Sequence, residues 1–509
     1  MDNNSFFITT PIYYVNDAPH IGHAYTSIAC DVLARFNRLN NRNTMFLTGT
    51  DEHGLKIEQA AKKKNMDNKK FVDEMSVKFK KLTKILNLSN DFFIRTTDEF
   101  HKKASQHIWN ILEKNNQIYL DKYKGWYSIS DESYFNDNEI IIDKKTKKKI
   151  SPSGNEVQWV EEESYFFKLS EWQEKLLDYY QKNPNFIAPE SRKNEIISFV
   201  KNGLNDLSIS RTTFSWGVEV PGDKKHVMYV WLDALINYLS AIGYPNEKYK
   251  KFWPADLHIV GKDIIRFHAV YWPAFLLAAG LDPPKRIFAH GWWTNEGKKI
   301  SKSLGNVIDP NEVIKEYGLD TLRYFLLREV PFGNDGNFSK KYLEKRINND
   351  LANDLGNLVQ RVLTIINKNF DGKLRKIKEI NKKDEKLYKL PEKILKDLEL
   401  NYEKQELHKA IENIWKLISE ANKYVDETAP WQLIKKNKDR AADVLNILVI
   451  IIAKIAILLA PIMPSVTENI LNKIGLSIKN LSIDDIRNDN FLNISYKIKK
   501  PEIIFNKIL

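Results

Sequence analysis

Hydrophobic residues recur with two different periods along this chain, and the change from one to the other divides it. Ser5-Phe6-Phe7-Ile8-Thr9-Thr10 reads as a short strand. A turn through Pro11, Asn16, Asp17 and Pro19 follows, then an amphipathic helix with the apolar stripe Ile28, Val32, Phe36 and Leu39. Thr44-Met45-Phe46-Leu47-Thr48 predicts a second strand, ending in Gly49-Thr50-Asp51-Glu52-His53-Gly54 and leading into a helix that begins near Leu55. Strand, helix, strand, helix at this pitch predicts a parallel sheet. Over 122–213 the texture changes. Aromatic-rich strand candidates, Gly125-Trp126-Tyr127 and Ser164-Tyr165-Phe166-Phe167, flank a lysine-rich hairpin at 144–149, the mark of an insertion. The α/β pattern returns at Val227-Met228-Tyr229-Val230-Trp231 and at Leu257-His258-Ile259-Val260-Gly261, so the first sheet is expected to be completed after the interruption. Beyond about Lys340, helical periodicity over 342–368, 384–425 and 441–460 predicts an all-α bundle, ending in a tail around 500–505.

The length of 509 residues corresponds to about three domains. With 43% hydrophobic and 28% charged residues, fibrous and wholly disordered classes are excluded. Cys30 is the single cysteine, so no intramolecular disulfide forms and no thiolate cluster holds zinc or an iron–sulfur centre. Seventy-eight Lys and Arg against 66 Asp and Glu leave a net charge of +12, which favours a polyanionic partner. The same lysines are scattered through Asn- and Ile-rich runs, as compositional bias alone would place them. Met1-Asp2-Asn3-Asn4-Ser5 offers no basic segment followed by a long apolar one, so a cytoplasmic protein is expected. Residues 444–464 approach the length of a bilayer span, but Asp443, Asn446 and Lys454 gather on one side, and Pro461 and Pro464 stop the run. That pattern predicts a core helix of the bundle.

Two short segments carry candidate chemistry. His20-Ile21-Gly22-His23 lies where the first strand gives way to the first helix, a position whose backbone N–H groups and dipole favour a phosphate. Both imidazoles project to one side, and Gly22 lets a flat base approach the backbone. Two histidines at a helix start are equally the chemistry of capping. Glu296-Gly297-Lys298-Lys299-Ile300-Ser301-Lys302-Ser303-Leu304-Gly305-Asn306 fits a loop that closes on a polyphosphate. Neither a Walker A segment nor a GxGxxG fingerprint is present, which removes the main support for P-loop ATPases and dinucleotide oxidoreductases.

Taken together, His20-Ile21-Gly22-His23 and Lys299-Ile300-Ser301-Lys302-Ser303 resemble the paired signature of class I aminoacyl-tRNA synthetases. Thr10-Pro11-Ile12-Tyr13-Tyr14-Val15-Asn16, Thr48 to Gly54, Tyr229-Val230-Trp231-Leu232-Asp233-Ala234-Leu235, Gly261-Lys262-Asp263 and Tyr424-Val425-Asp426-Glu427-Thr428-Ala429-Pro430-Trp431 resemble the methionyl-tRNA synthetase family. The resemblance spans the chain from Phe6 to the tail and is weakest in the insertion. It implies a Rossmann-like parallel-sheet catalytic domain (1–121 and 214–290) interrupted by a connective insertion (122–213). A signature-loop region (291–341), an α-helical anticodon-binding domain (342–499) and a tail (500–509) follow. It also implies ATP, with Mg²⁺, as substrate together with methionine and the initiator and elongator methionine tRNAs. His20 and His23 would meet the phosphates, with Lys299 and Lys302 closing on the leaving pyrophosphate, and Gly22, Gly261 and Asp263 would complete the nucleotide site. The methionine site would comprise Ile12, Tyr14, Asp51, Trp231, Ala234, Leu235, Tyr238, Ile264, His268 and Trp272, with Asp51 receiving the ammonium. Trp231, Ala234, Leu235 and Tyr238 share one helical face, and Ile264, His268 and Trp272 recur every four residues, as plain core residues also do. Asn357, Arg361 and Trp431 would read the CAU anticodon. Arg211 matches a family segment near the site, and an ion-pair role is equally open to it.

The chain departs from the family where many members hold zinc. Ser128-Ile129-Ser130-Asp131 and Ile150-Ser151-Pro152-Ser153 offer no thiolate, so a zinc-free knuckle held by packing and hydrogen bonds is expected. The extra tRNA-binding module that some relatives append after the bundle is expected to be absent, and with it dimerisation, so a monomer is expected; no membrane contact is expected either. Two rivals share parts of the pattern. Class I synthetases for leucine, isoleucine or valine need a large editing insertion that has little room here, and one for cysteine needs zinc ligands. An inactive tRNA-binding relative would have no use for intact histidines and loop lysines. Lys302→Ala should depress ATP–pyrophosphate exchange by about a hundredfold or more while leaving methionine binding nearly unchanged, measured by exchange kinetics and equilibrium binding.

Overall fold

Consecutive rather than alternating apolar residues make strands that are covered on both faces, and Phe7-Ile8, Phe46-Leu47 and Ile259-Val260 are such runs, all buried. The computed structural model describes residues 4–16, 19–131, 133–135, 137–144, 146–295, 297–299, 307–488 and 490–508, with the backbone alone for Tyr134, Lys298, Lys299 and Asn493. It forms two compact units, residues 1–19 with 45–289 and residues 20–44 with 290–509.

The first unit is built on a seven-stranded sheet of β1 (Ser5–Thr9), β2 (Tyr13–Tyr14), β3 (Asn43–Asp51), β4 (Phe92–Arg95), β5 (Ile187–Ala188), β6 (Leu257–Gly261) and β7 (Ile287–His290). The order is β5-β7-β6-β1-β3-β2, with β4 also on β3. The pairs β1/β6, β2/β3, β3/β4 and β5/β7 run parallel, with Ile8 opposite Leu257 and Tyr14 opposite Asp51. In sequence, α1 (Ile21–Leu39) separates β1 from β3 but belongs to the second unit. Leu257–Gly261 rejoins the parallel sheet as its apolar pattern predicts. Val227 does not: it lies in a strand, Asp223–Met228, that pairs antiparallel with Ser210–Arg211 and Glu219–Val220. The chain turns at Tyr229 and enters α2 (Val230–Ser240) instead.

The insertion is a long antiparallel hairpin of Ile118–Ser128 with Gln158–Phe167, in which Lys122 faces Glu163 and Lys124 faces Glu161. A small hairpin, Ile141–Ile142 with Lys149–Ile150, brackets the lysine run. The knuckle is tied by Asp131, whose carboxylate accepts from the Ser151 hydroxyl and the Asn155 amide, each at 2.6 Å. The Asp131 N–H donates to Ser128 Oγ at 3.2 Å, and the Ser151 N–H to the Asn155 carbonyl at 2.7 Å. Hydrogen bonds thus join both segments that lack thiolates, and among the described residues no cluster of metal-ligating side chains occurs.

The second unit joins α1 to the helical bundle. The expected run 342–368 is not one regular helix, because Ile347–Gly356 is π-helical between Lys340–Arg346 and Asn357–Phe370. The run 384–425 is three helices, Lys382–Tyr388, Leu390–Glu403 and Leu407–Thr428. Pro391 starts the second, and Gln405 at φ 57° separates the second from the third. Within it, α3 (Leu319–Arg328) and α4 (Lys438–Leu459) are almost wholly buried. By length and composition α4 could cross a membrane, yet its most apolar 18-residue window is fully buried, and its polar stripe is buried and hydrogen-bonded. Asp443 accepts from Arg375 at 2.7 Å, Asn446 donates to the Arg375 carbonyl at 2.7 Å, and Lys454 donates to the Ile486 carbonyl at 3.0 Å.

Along α1, Asp31 meets the Arg323 guanidinium of α3 at 2.6 Å, both side chains wholly buried. Arg323 also donates to the carbonyls of Ile462 at 2.8 Å and Pro461 at 2.9 Å. The half-exposed Arg35 meets the same carboxylate at 2.7 Å. Asp31→Asn should therefore lower the free energy of unfolding by about 3 kcal/mol, since it strips a buried cation of its counter-charge. Arg35→Ala should cost less than about 1 kcal/mol, both read from urea denaturation.

Candidate active site

The histidine pair caps its own helix. His20 is the N-cap of α1; its Nδ1 accepts from the Gly22 N–H at 3.1 Å, and His23 Nδ1 accepts from the His20 N–H at 3.1 Å. A neutral ring that accepts at Nδ1 carries its proton at Nε2, so both rings present Nε2–H donors, the groups that suit a phosphate oxygen. The ring centroids are 4.0 Å apart. Burial, and then His20, hold His23 well below the ordinary imidazole value, which keeps it neutral. Capping and ligand binding are thus compatible. A Cβ at Gly22 would lie 2.9 Å from the His20 ring, so the glycine makes room first for the cap. The Lys299 backbone pairs with Thr294 in a hairpin that turns at Gly297, φ 77°. Lys302 and the remainder of the signature loop, 300–306, lie outside the described residues.

The histidines and Lys299 belong to the second unit; the candidate methionine residues and Asp263 belong to the first. Ile12, Tyr14, Trp231 and Ile264 are half-buried against a core that includes Leu235, Tyr238 and Trp272. Ala234 is buried beside them in α2. His268 is buried in a π-helical turn, Phe267–Tyr271, ahead of the helix Trp272–Ala278. The wider turn keeps Ile264, His268 and Trp272 near one side at a spacing of four. His268 Nδ1 lies 3.0 Å from the Ile264 carbonyl, which can only accept; Nε2, 2.8 Å from the Tyr238 hydroxyl, therefore accepts. Burial lowers His268 to about 4, against smaller opposing effects from Ile264 and Asp263, so this tautomer persists at neutral pH. Asp51 ends β3 at 9% exposure, opposite Tyr14, and its carbonyl accepts from Val15. Asp263 is exposed just past β6, where a Cβ at Gly261 would fall 2.6 Å from its carboxylate.

In the bundle the structure brings Arg361 and Trp431 together, with the guanidinium 5.4 Å from the indole centroid and 2.7 Å from Asp426. Trp431 is 42% exposed, so it does not plug a core. Asn357 is exposed one turn before Arg361, at the start of its helix. Arg211 resolves as an ion-pair partner: it is buried against Glu162 and over the Tyr127 ring at 4.2 Å.

A family model described as tRNA synthetases class I (M) matches residues 6–363, and one described as the anticodon binding domain of methionyl tRNA ligase matches 376–509. The chain belongs to the methionyl-tRNA synthetases. It is 52% identical to the methionine–tRNA ligase of Rickettsia conorii over 99% of both chains, and 49% identical to that of Brucella suis over 93% and 92%. The Mycobacterium tuberculosis synthetase in complex with methionyl-adenylate superposes with a TM-score of 0.95 at 44% identity over 99% of each chain. Its ligand-free form gives 0.89 at 42% identity over 99% and 98%. The synthetase activates methionine with ATP, releasing pyrophosphate, and transfers it to the 3′-terminal adenosine of methionine tRNA.

Sequence reasoning passed over Phe267, which stacks on Trp231 at 3.7 Å and 5°, because a four-residue repeat skips it. It also gave no role to Glu52, bound by Arg95 at 2.7 and 2.8 Å, although Glu52 stands within a quoted segment. Of the His268 shift, the sign is fixed. The unfolded chain takes up a proton near pH 6.5 that the native ring refuses until about 4, so stability falls as pH falls through that window, by up to about 1.4 kcal/mol per unit. His268→Gln should lessen this dependence by up to about 1.4 kcal/mol per pH unit in urea titrations between those limits, leaving the part due to the other buried histidines, His23 and His258.

Proposed function

We propose that the synthetase holds methionine between Asp51, which takes the ammonium, and the apolar set of Ile12, Tyr14, Trp231, Ala234, Leu235, Tyr238, Ile264, His268 and Trp272. The observation that carries this reading is the neutral, hydrogen-bonded His268–Tyr238 pair, with Tyr238 in the core against which Ile12, Tyr14, Trp231 and Ile264 lie half-buried. A thioether makes no strong hydrogen bond, and a largely apolar, aromatic lining suits it. Shape alone separates methionine from leucine by about 1–3 kcal/mol, so contact of sulfur with the Trp231, Tyr238 and Trp272 rings adds selectivity.

His20 and His23 donate to the phosphates, Gly22 and Gly261 leave room for the nucleotide, and Asp263 meets the ribose. Mg²⁺ arrives with ATP. Lys299 and Lys302 balance charge on the departing pyrophosphate. The methionine carboxylate attacks the α-phosphate, and the tRNA adenosine hydroxyl then takes the aminoacyl group, so catalysis rests on positioning and charge stabilisation without an enzyme nucleophile. Asn357, Arg361 and Trp431 receive unpaired CAU bases; an exposed indole beside a guanidinium is the chemistry such bases stack on. The protein works as a zinc-free cytoplasmic monomer.

Pyrophosphate exchange with each amino acid should proceed with methionine alone at an appreciable rate. Trp431→Ala should raise the tRNA KM about tenfold or more while exchange stays intact, because one stacked base contributes about 1–3 kcal/mol. Equal loss of both activities would assign Trp431 to folding.

A further inference from the structure

Behind the candidate methionine site lies a buried charge that the reaction above does not use. On α2, Trp231, Ala234, Leu235 and Tyr238 form one face, and Asp233 lies on the opposite side. Its carboxylate is wholly buried and accepts from two imidazoles, His53 Nδ1 and His101 Nε2, each at 2.7 Å. His101 Nδ1 lies 2.8 Å from the hydroxyl of Ser240, the last residue of α2. Burial alone would raise Asp233; the imidazoles of His53 and His101 outweigh it and hold the carboxyl at about 2. His53 follows Asp51 by two residues. Between them, Glu52 is locked by Arg95 and by the Thr50 and Thr97 hydroxyls, at 2.7 and 2.5 Å. The end of β3 is therefore rigid, and the Asp233–His53 bond joins it to α2 with no adjustable water between.

We propose that Asp233, with His53 and His101, is a positioning residue that sets the separation between the Asp51 carboxylate and the side-chain face of α2, and thereby the length of amino acid the site accepts. This rests on the reading of Asp51 and the α2 face as the methionine site. An amide at position 233 cannot accept from both imidazoles as a carboxylate does, so β3 and α2 lose their common anchor.

The test is pyrophosphate exchange by the full chain with L-methionine and with L-ethionine, one methylene longer. Asp233→Asn should raise the methionine KM about tenfold, the value of one charge-assisted hydrogen bond, with the ATP KM within about twofold. Preference for methionine over ethionine should drop at least about threefold. His53→Asn, whose amide reaches the Nδ1 position, should keep the wild-type preference, whereas His53→Leu should lose it; this pair decides the matter if Asp233→Asn does not fold. Unchanged preference, or equal damage to the methionine and ATP constants, would overturn the proposal. Asp51→Asn separates the two levels: an unaffected methionine KM there would overturn the site reading itself.

Discussion

A parallel sheet aligns the ends of its strands, and in the first unit the carboxyl ends carry the candidate site residues. β1 leads to Ile12 and Tyr14, β3 ends on Asp51, and β6 ends on Gly261 two residues before Asp263. The registers that place Ile8 opposite Leu257 and Tyr14 opposite Asp51 set these groups relative to one another. A one-residue slip would turn each side chain to the other face and unseat the residues of β1, β3 and β6 that are packed on both sides.

Buried charge supplies the second layer of order. Glu52 and Asp233 in the first unit, and Asp31, Arg323, Asp443 and Lys454 in the second, are all buried and all paired. Such pairs add little net stability, because desolvation offsets attraction, but a misregistered helix would leave each of them unsatisfied at several kcal/mol. This matters most for α4, whose unbroken Ile and Leu surface could pack in several rotations about its axis. Asp443, Asn446 and Lys454 admit the one that reaches Arg375 and Ile486. The knuckle in the insertion works by the same rule, with the Asp131 carboxylate and its donors linking segments that a metal joins in other members of the family.

The family and the fold class were legible because motif chemistry and apolar periodicity are properties of short segments. The strands at Ser5 and Thr44, the helix near Leu55 and the core character of 441–460 follow from such windows. The π-helical stretch Ile347–Gly356 and the breaks near Pro391 and Gln405 escaped the helical reading, because their apolar residues keep helical spacing while the backbone does not. Val227 read as a sheet strand because a β-branched run looks alike in a parallel and an antiparallel partner.

By itself, then, the chain's order of residues determined what chemistry is present and on which kind of element it sits. Only tertiary structure decided the partners: His101 with Asp233 across 132 residues, Arg323 with Asp31 across 292, and Phe267 against Trp231. Periodicity reports which side of an element faces inward, whereas a hydrogen bond or a stacked ring depends on distances that are set when distant segments pack.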